Sequence, residues 1–387
     1  MIPIAKPLLG EAEAEAASAA VLSGWVSQGP RVAEFEAAFA AMTGAAHACA
    51  VSNCTTALHL ALQGVGVGNG DEVITVSHSF IAGANAILQC GATPIFVDIE
   101  AEGYNIDPAG IAAAVTARTR AILVVHQIGM PCDMPAILAI ARDHGLPVIE
   151  DAACAVGSEI NIDGNWMPIG RPLGDVACFS FHPRKVLTTG EGGMLTTQDA
   201  ALDAKFRLWR QHGMSVSDRE RHGSSSVIFE SYPVRGYNYR MTDIQAAIGI
   251  AQLARLPSII AARRRLAERY HEALAGLPGV TPPREPAWAR SNWQSYAVRL
   301  SPELDQRIVM QRLLDAGVAT RRGIMNMHRE ESQMDLPVRF PLNNSEFAQD
   351  KAILIPLFAQ MTTEDQDIVL GELENAIGAE YPQAKAG

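Results

Sequence analysis

Short apolar runs alternate with segments whose apolar residues recur every three to four positions, and the alternation persists through the first half of this 387-residue chain. The runs His47–Val51, Glu72–Val76, Pro94–Asp98, Ala121–His126, Pro147–Asp151, Val176–Phe181 and Gly193–Thr197 predict strands. Between them Thr55–Gln63, Ala82–Gln89, Pro108–Ala117 and Met134–His144 carry helical periodicity. Repeated βα units of this spacing feed a mostly parallel sheet, so the first half predicts an α/β domain with its ligand at the carboxyl ends of the strands.

Past the last strand, Ala201–His212 predicts a helix and the charged, Ser-rich stretch Ser215–Ser226 a mobile loop. Two helical segments follow, Met241–Leu256 and Ser258–Gly276, with Pro257 between them. A proline interrupts helices, which places the expected boundary between a large domain, 1–256, and a smaller one, 257–387. The smaller part holds a strand-like Gln294–Leu300 and helices near Asp305–Ala316 and Thr363–Ile377, an α+β pattern. The Ala/Glu-rich opening predicts an amphipathic helix, and no internal repeat is present.

Charge and cysteine usage narrow the classes. With 31 Lys+Arg against 42 Asp+Glu the net charge is −11, which disfavours nucleic acid and an anionic membrane surface but permits a local phosphate pocket. The N-terminal stretch MIPIAKPLLGEAEAEAASAAV holds no apolar run of signal or membrane-span length, so the expected location is the cytoplasm. Six cysteines, all in the first half, lack the paired spacing of a zinc site and predict buried or site-lining thiols; no metal is expected.

Candidate chemistry lies at three strand ends. The glycine run Gly64–Gly70 follows a helix and leads into a strand, the reverse of a dinucleotide fingerprint, and predicts a turn; this disfavours a nicotinamide dehydrogenase. In Val51-Ser52-Asn53-Cys54-Thr55-Thr56 a strand runs into hydroxyl and amide side chains and then a helix. This is either a phosphate cup, built on helix-terminal N–H groups and the helix dipole, or simple N-capping by Ser52 or Asn53. The apolar strand before Glu150 and Asp151 ends in carboxylates, which serve as a cap, a metal ligand or the partner of a cationic cofactor ring. Without a nearby His at ligand spacing, metal is the weakest of these. A third strand runs into His182-Pro183-Arg184-Lys185, and a lysine at the mouth of such a sheet is either solvated or suited to a Schiff base with a phosphate-bearing aldehyde cofactor.

The string GDVACFSFHPRKVLTTGEGGMLTT, with PVIEDAACAVGS before it and GYNYRMTDIQAAIG after it, resembles the nucleotide-sugar aminotransferases of the DegT/StrS family. The likeness runs from Ser23–Pro30 to Arg321–His328. It implies pyridoxal phosphate bound on the aspartate-aminotransferase fold (fold type I), a large domain with a mostly parallel, mixed sheet plus a smaller C-terminal α+β domain, and an N-terminal segment at a domain or dimer interface. By the same resemblance Lys185 holds the cofactor as a Schiff base and moves protons, and Asp151 pairs with the pyridine nitrogen. Thr55, Thr56 and Ser180 bind the phosphate, Phe80 stacks on the ring, and Asn238 reaches the phosphate of a second subunit in a homodimer. Cys154 stands near the ring hydroxyl where the family commonly has His or Gln, and Arg184 adds a cation beside the site. Arg240 and His328 face either the substrate or surface ion pairs. The implied reaction moves an amino group, by resemblance from glutamate, to a keto-sugar carried on a nucleotide; the alternative is a cofactor-binding sensor that keeps the fold without turnover.

Overall fold

The computed structural model describes residues 1–216 and 224–379; residues 217–223, the centre of the stretch predicted as a mobile loop, lie outside the described residues. Its first half consists of βα units. In chain order these are helices α1 (Glu11–Leu22) and α2 (Pro30–Thr43), strand β1 (His47–Val51), α3 (Cys54–Gly64), β2 (Glu72–Val76), α4 (Ala82–Gln89), β3 (Thr93–Val97), α5 (Pro108–Ala114), β4 (Thr119–Val125), α6 (Met134–His144) and β5 (Val148–Asp151). A hairpin β6 (Glu159–Ile162) and β7 (Asn165–Pro168) precedes β8 (Val176–Ser180), β9 (Gly193–Thr197) and α7 (Ala200–Arg210). The main sheet has seven strands in the order β1-β9-β8-β5-β4-β2-β3. All are parallel except β9, which runs antiparallel to both β1 and β8.

The strands of this sheet are buried along almost their whole length, as expected of a sheet covered on both faces. Its edge at β1 is sealed by side chains. Arg210 donates to the Ala50 carbonyl at 2.7 Å, Arg207 to the Ala48 carbonyl at 2.7 Å, and Glu36 accepts from the Ala50 N–H at 2.9 Å. These groups also pair with one another, so the buried charge of Glu36 is matched by two guanidinium groups that hold its carboxyl below the usual range against the opposing effect of burial.

The largest departure from expectation is at Pro257. A single helix of 32 residues, Asp243–Leu274, runs through it. Pro257 is exposed, and packing on either side of it outweighs the hydrogen bond that it cannot donate. Leu256, Ile259 and Ile260 belong to the core of the main sheet. Ala267, Tyr270 and Leu274 belong to a second core. The helix therefore changes cores between Ile260 and Ala267, within its own length. Among the described residues it is the one helix long and apolar enough to cross a membrane; in this fold it lies against α1 and α2.

The second core is built on a four-stranded antiparallel sheet, β10 (Val280–Thr281), β12 (Tyr296–Leu300), β14 (Ala352–Ile355) and β13 (Arg321–Arg322). Helices Gln306–Asp315 and Thr363–Gly378 cover it. The N-terminus joins this lobe. Ile2 pairs with Val318, and its N–H donates to Gly317 at 2.8 Å. A short strand β11 (Ala289–Arg290) adds to the β6–β7 hairpin as a third small sheet. The start of the long helix is tied to the start of α2, because the Asp243 carboxylate accepts the N–H groups of Gly29, Arg31 and Val32 at 2.7, 3.1 and 3.0 Å. Those three donors have no intrahelical acceptor of their own.

Candidate active site

A cleft of about 770 Å³ opens where the main sheet's carboxyl ends meet the second sheet. Thr55, Thr56, Phe80, Asp151, Cys154, Ser180 and Lys185 all line it, together with Arg184, Tyr239, Gln294 and Arg321 to Ile324. Seven sequence-predicted residues from four separate strand ends and loops thus converge.

The floor is set by β5. Glu150 and Asp151 are consecutive in a strand and face opposite ways. Glu150 is fully buried and accepts the Leu173 and Gly174 N–H groups at 2.7 and 2.8 Å. It also faces His126 Nε2 at 3.0 Å; the Cys132 N–H donates to His126 Nδ1 at 3.0 Å, which assigns the neutral ring's proton to Nε2 and makes it the donor to Glu150. Glu150 is therefore a satisfied structural group. Asp151 differs. Its Oδ1 accepts the Ala153 N–H at 3.0 Å, Oδ2 has no hydrogen-bond partner among the described residues, and the residue lines the cleft. Burial pushes this carboxyl above its usual range, and the Ala153 N–H, Lys185 and His126 offset that only in part. A buried acid with one free oxygen is suited to a cationic partner.

At the N-terminus of α3 the capping reading is observed, and it leaves room for a phosphate. Asn53 caps the helix, accepting the Thr56 N–H at 3.0 Å, and the Thr56 hydroxyl donates to the Asn53 carbonyl at 2.8 Å. The N–H groups of Cys54 and Thr55 have no partners among the described residues, and they lie at the positive end of the helix dipole, in residues that line the cleft. The backbone approaches closely here. A Cβ on Gly193 would lie 2.5 Å from the carbonyl carbon of Asn53 and 2.8 Å from the Cys54 nitrogen, so only glycine lets β9 pass under the cup. Gly193 pairs with Val51 on one side and Ser180 on the other, which brings Ser180 beside the same helix end.

Lys185 sits just past β8 with Nζ 3.0 Å from Cys154 Sγ. Burial works against charge on this amine, but the Cys154 sulfur and the Asp151 carboxylate outweigh it and hold the amine above the ordinary lysine range. Phe80 is 59% exposed and presents an apolar ring to the cleft. A phosphorylated pyridine aldehyde fits this set: two orphan N–H groups and hydroxyls for the phosphate, a free carboxylate oxygen for the ring nitrogen, an amine for the aldehyde and a flat face for the ring. Among the described residues no group of three His, Cys, Asp or Glu gathers to hold a metal.

Three candidates lie outside the cleft lining. Asn238 is exposed between Tyr237 and Tyr239, whose rings stack at 4.8 Å and are held by Gln63 and His59 hydroxyl contacts of 2.7 and 3.1 Å. In extended chain this turns Asn238 and Arg240 away from the chain's own core. His328 is engaged with Ser77 at 2.7 Å and Glu346 at 3.3 Å, as one would find in a packing histidine. Sequence reasoning missed Gln127, Ile128 and Gln294. Ile128 has φ of 51°, a costly backbone for a β-branched residue, and it borders the cleft. The Asn292 side chain, which donates to Cys154 and Val156 carbonyls at 2.8 Å, holds the adjacent loop in place. No local motif marks these residues; the departure is visible only in the backbone.

The lone antiparallel strand β9, set between the strand that leads to Lys185 and the strand that leads to the phosphate cup, gives the sheet the order of the fold type I pyridoxal-phosphate aminotransferases. Comparison with known proteins agrees. The model of the DegT/DnrJ/EryC1/StrS aminotransferase family matches residues 7–374, and the chain belongs to that family, whose aminotransferases depend on pyridoxal phosphate. It is 38% identical over 394 residues to the spore coat polysaccharide biosynthesis protein SpsC of Bacillus subtilis, covering 97% of each chain. Among solved structures it is similar to the aminotransferase TlmJ from Streptoalloteichus hindustanus, with 35% identity, a TM-score of 0.90 and coverage of 98% of this chain and 100% of that one. It is likewise similar to DesI, solved in the presence of its TDP-sugar product, with 32% identity, a TM-score of 0.86 and coverage of 98% and 93%.

Proposed function

We propose that this aminotransferase moves an amino group from glutamate to a keto-sugar carried on a nucleotide, in a homodimer whose two sites are shared. The observation that carries the reading is the convergence of Lys185, Asp151 and the α3 helix end on one cleft large enough for a cofactor and a sugar. The TDP-sugar product with which DesI was solved supports the nucleotide carrier. When bound, pyridoxal phosphate supplies an electron sink for the carbon that gains or loses the amine.

The chain's own residues do the rest. The Cys54 and Thr55 N–H groups anchor the phosphate; Asp151, kept from solvent, holds a proton at the ring nitrogen; Phe80 and Ile128 wall off water on the apolar sides. With the cofactor bound, Lys185 Nζ would hold its aldehyde and would serve as the base and acid that moves a proton between the two carbons exchanging the amine. Donor and acceptor use the same lysine in turn, so the kinetics are ping-pong. The outward-turned Asn238 and the exposed Val227, Phe229 and Tyr232 beside it supply the face for a second copy.

The test takes the purified holoenzyme through its half-reactions. Glutamate should bleach the absorption of the lysine-bound cofactor, and a nucleotide-linked keto-sugar should restore it; restoration by none of a panel on dTDP, UDP and GDP refutes the acceptor assignment. Borohydride should fix the cofactor on Lys185. For the dimer, Lys185→Ala and Asn238→Asp chains, each inactive alone, should regain activity when mixed, since one site of the hybrid is then intact.

A further inference from the structure

Two guanidinium groups in the cleft take no part in the amino transfer described above. Arg184 precedes Lys185 beyond β8, and Arg321 lies on β13 in the other lobe; both side chains are exposed and both border the cleft. Neither guanidinium has an ion-pair or hydrogen-bond partner among the described residues, whereas Arg322, beside them, is held by Glu330 at 3.0 Å. Their backbones are fixed. Gln294 donates to the Arg184 carbonyl at 2.9 Å, and Arg321 is in register with Leu354. The carboxylates on the cleft lining are Asp151, at its floor, and Glu191, which is exposed and makes no ion pair with either arginine.

An unpaired arginine at a protein surface is ordinary. Two on the lining of one cleft, from opposite lobes, in a chain of net charge −11, make a local cationic rim against the overall balance. We propose that Arg184 and Arg321 clamp the diphosphate of the acceptor, one from each lobe, and that this contact selects acceptors carrying a diphosphate. The assignment rests on the nucleotide-sugar reading above. The position at the rim distinguishes the diphosphate from the donor's carboxylate. An amino acid's carboxylate is one bond from the carbon that must reach Lys185 in the half-buried floor, while the diphosphate is separated from the reacting carbon by the sugar ring. Guanidinium forks suit phosphate oxygens, and binding across two lobes lets the acceptor draw the cleft closed.

The experiment uses holoenzyme aminated with glutamate, titrated with dTDP and with UDP as probes, and compares wild type with Arg184→Gln, Arg321→Gln, the double variant and both Arg→Lys variants. Each Gln variant should bind the probes roughly tenfold to a hundredfold more weakly, with the loss growing at low salt. The acceptor KM should rise with them while kcat changes little, and Lys should restore part of the affinity. Bleaching by glutamate serves as the internal control for an intact site. Unchanged probe affinity in both Gln variants overturns the clamp, as does a rise in the glutamate concentration needed for bleaching, which would place the donor carboxylate there instead. If wild type itself binds neither probe and accepts no nucleotide-linked sugar, the acceptor reading fails and the clamp fails with it; if wild type binds and the variants bind equally, the clamp alone fails.

Discussion

Replacing Gly193 by alanine tests whether the phosphate cup depends on close backbone approach. The added Cβ would meet the Asn53 carbonyl carbon and oxygen at 2.5 Å, about 0.9 Å short of the 3.4 Å at which ordinary contact begins. The opposing atoms are backbone, so no side chain can swing away, and Gly193 itself is pinned by pairing with Val51 and Ser180. The first turn of α3 must shift by most of that overlap. A displacement of this size misaligns at least one of the two open N–H groups, and a hydrogen bond to a charged phosphate contributes about 1.5–3 kcal/mol, so cofactor affinity should drop roughly tenfold to hundredfold. Fluorescence quenching on titrating the cofactor-free enzyme with pyridoxal phosphate measures it. Gly68→Ala, where the Cβ meets nothing within 4 Å, is the matched control. A folded Gly193→Ala protein whose dissociation constant stays within about twofold of wild type would refute the reasoning, since the stated hydrogen-bond range predicts a larger change.

Other expectations follow from the buried charges and the cap. Burial raises the Asp151 carboxyl above its ordinary 3.8, so the native state holds this proton more tightly than the unfolded chain, and the cofactor-free protein loses stability as pH rises from 3.8 through the raised value. Asp151→Asn should remove that slope and raise the melting temperature of the cofactor-free protein at pH 7 while abolishing transfer; a lowered melting temperature would contradict it. Cys154 helps hold the Lys185 amine charged, and Schiff-base formation needs the neutral amine, so Cys154→Ala should move the pH profile of cofactor incorporation to lower pH, read by stopped-flow absorbance. His78, buried and lowered to about 4, takes up its proton only on unfolding between about 6.5 and 4, so stability should fall over that window by about 3 kcal/mol, and denaturant titrations of a His78→Gln variant should show a shallower acid limb. Asp243→Ala leaves three N–H groups at the start of α2 without acceptors and should cost about 3–5 kcal/mol in urea unfolding.

What the sequence displayed, and what it concealed, follows from the range of the forces involved. The seven main strands and the helices between them were legible because each is a local pattern: a short apolar run, a 3.6-residue period, a capping residue. Lys185 and Asp151, the lysine and acid of the proposed site, were legible because both sit at strand ends inside distinctive strings. Pro257 misled because its local effect is real but smaller than the packing of the helix into two cores, which no window of sequence displays. The β6–β7 hairpin does carry a local signal, its Asp163-Gly164 turn with φ of 51° and 85°, but its strands are four residues each and lie outside the repeated βα pattern. The strand β14 is four residues long and follows a polar helix, too little pattern to stand alone. The cap on α2 and the strained Ile128 depend on residues more than a hundred positions away or on backbone geometry, and they have no sequence signal.

The path of the chain through the long helix also has a consequence for how the protein comes into being on the ribosome. Ile2 is made well before Gly317 and Val318, the residues that seat it, and α2 waits for Asp243. The helix that completes the cofactor-bearing core continues into a core whose strands come last in the chain. An emerging chain that stops short of residue 300 therefore has βα units but neither a closed cleft nor a place for its own beginning. The cleft, lined by residues from both lobes, takes shape only once both have been made, and the segment around Ile2 is seated by residues made long after it.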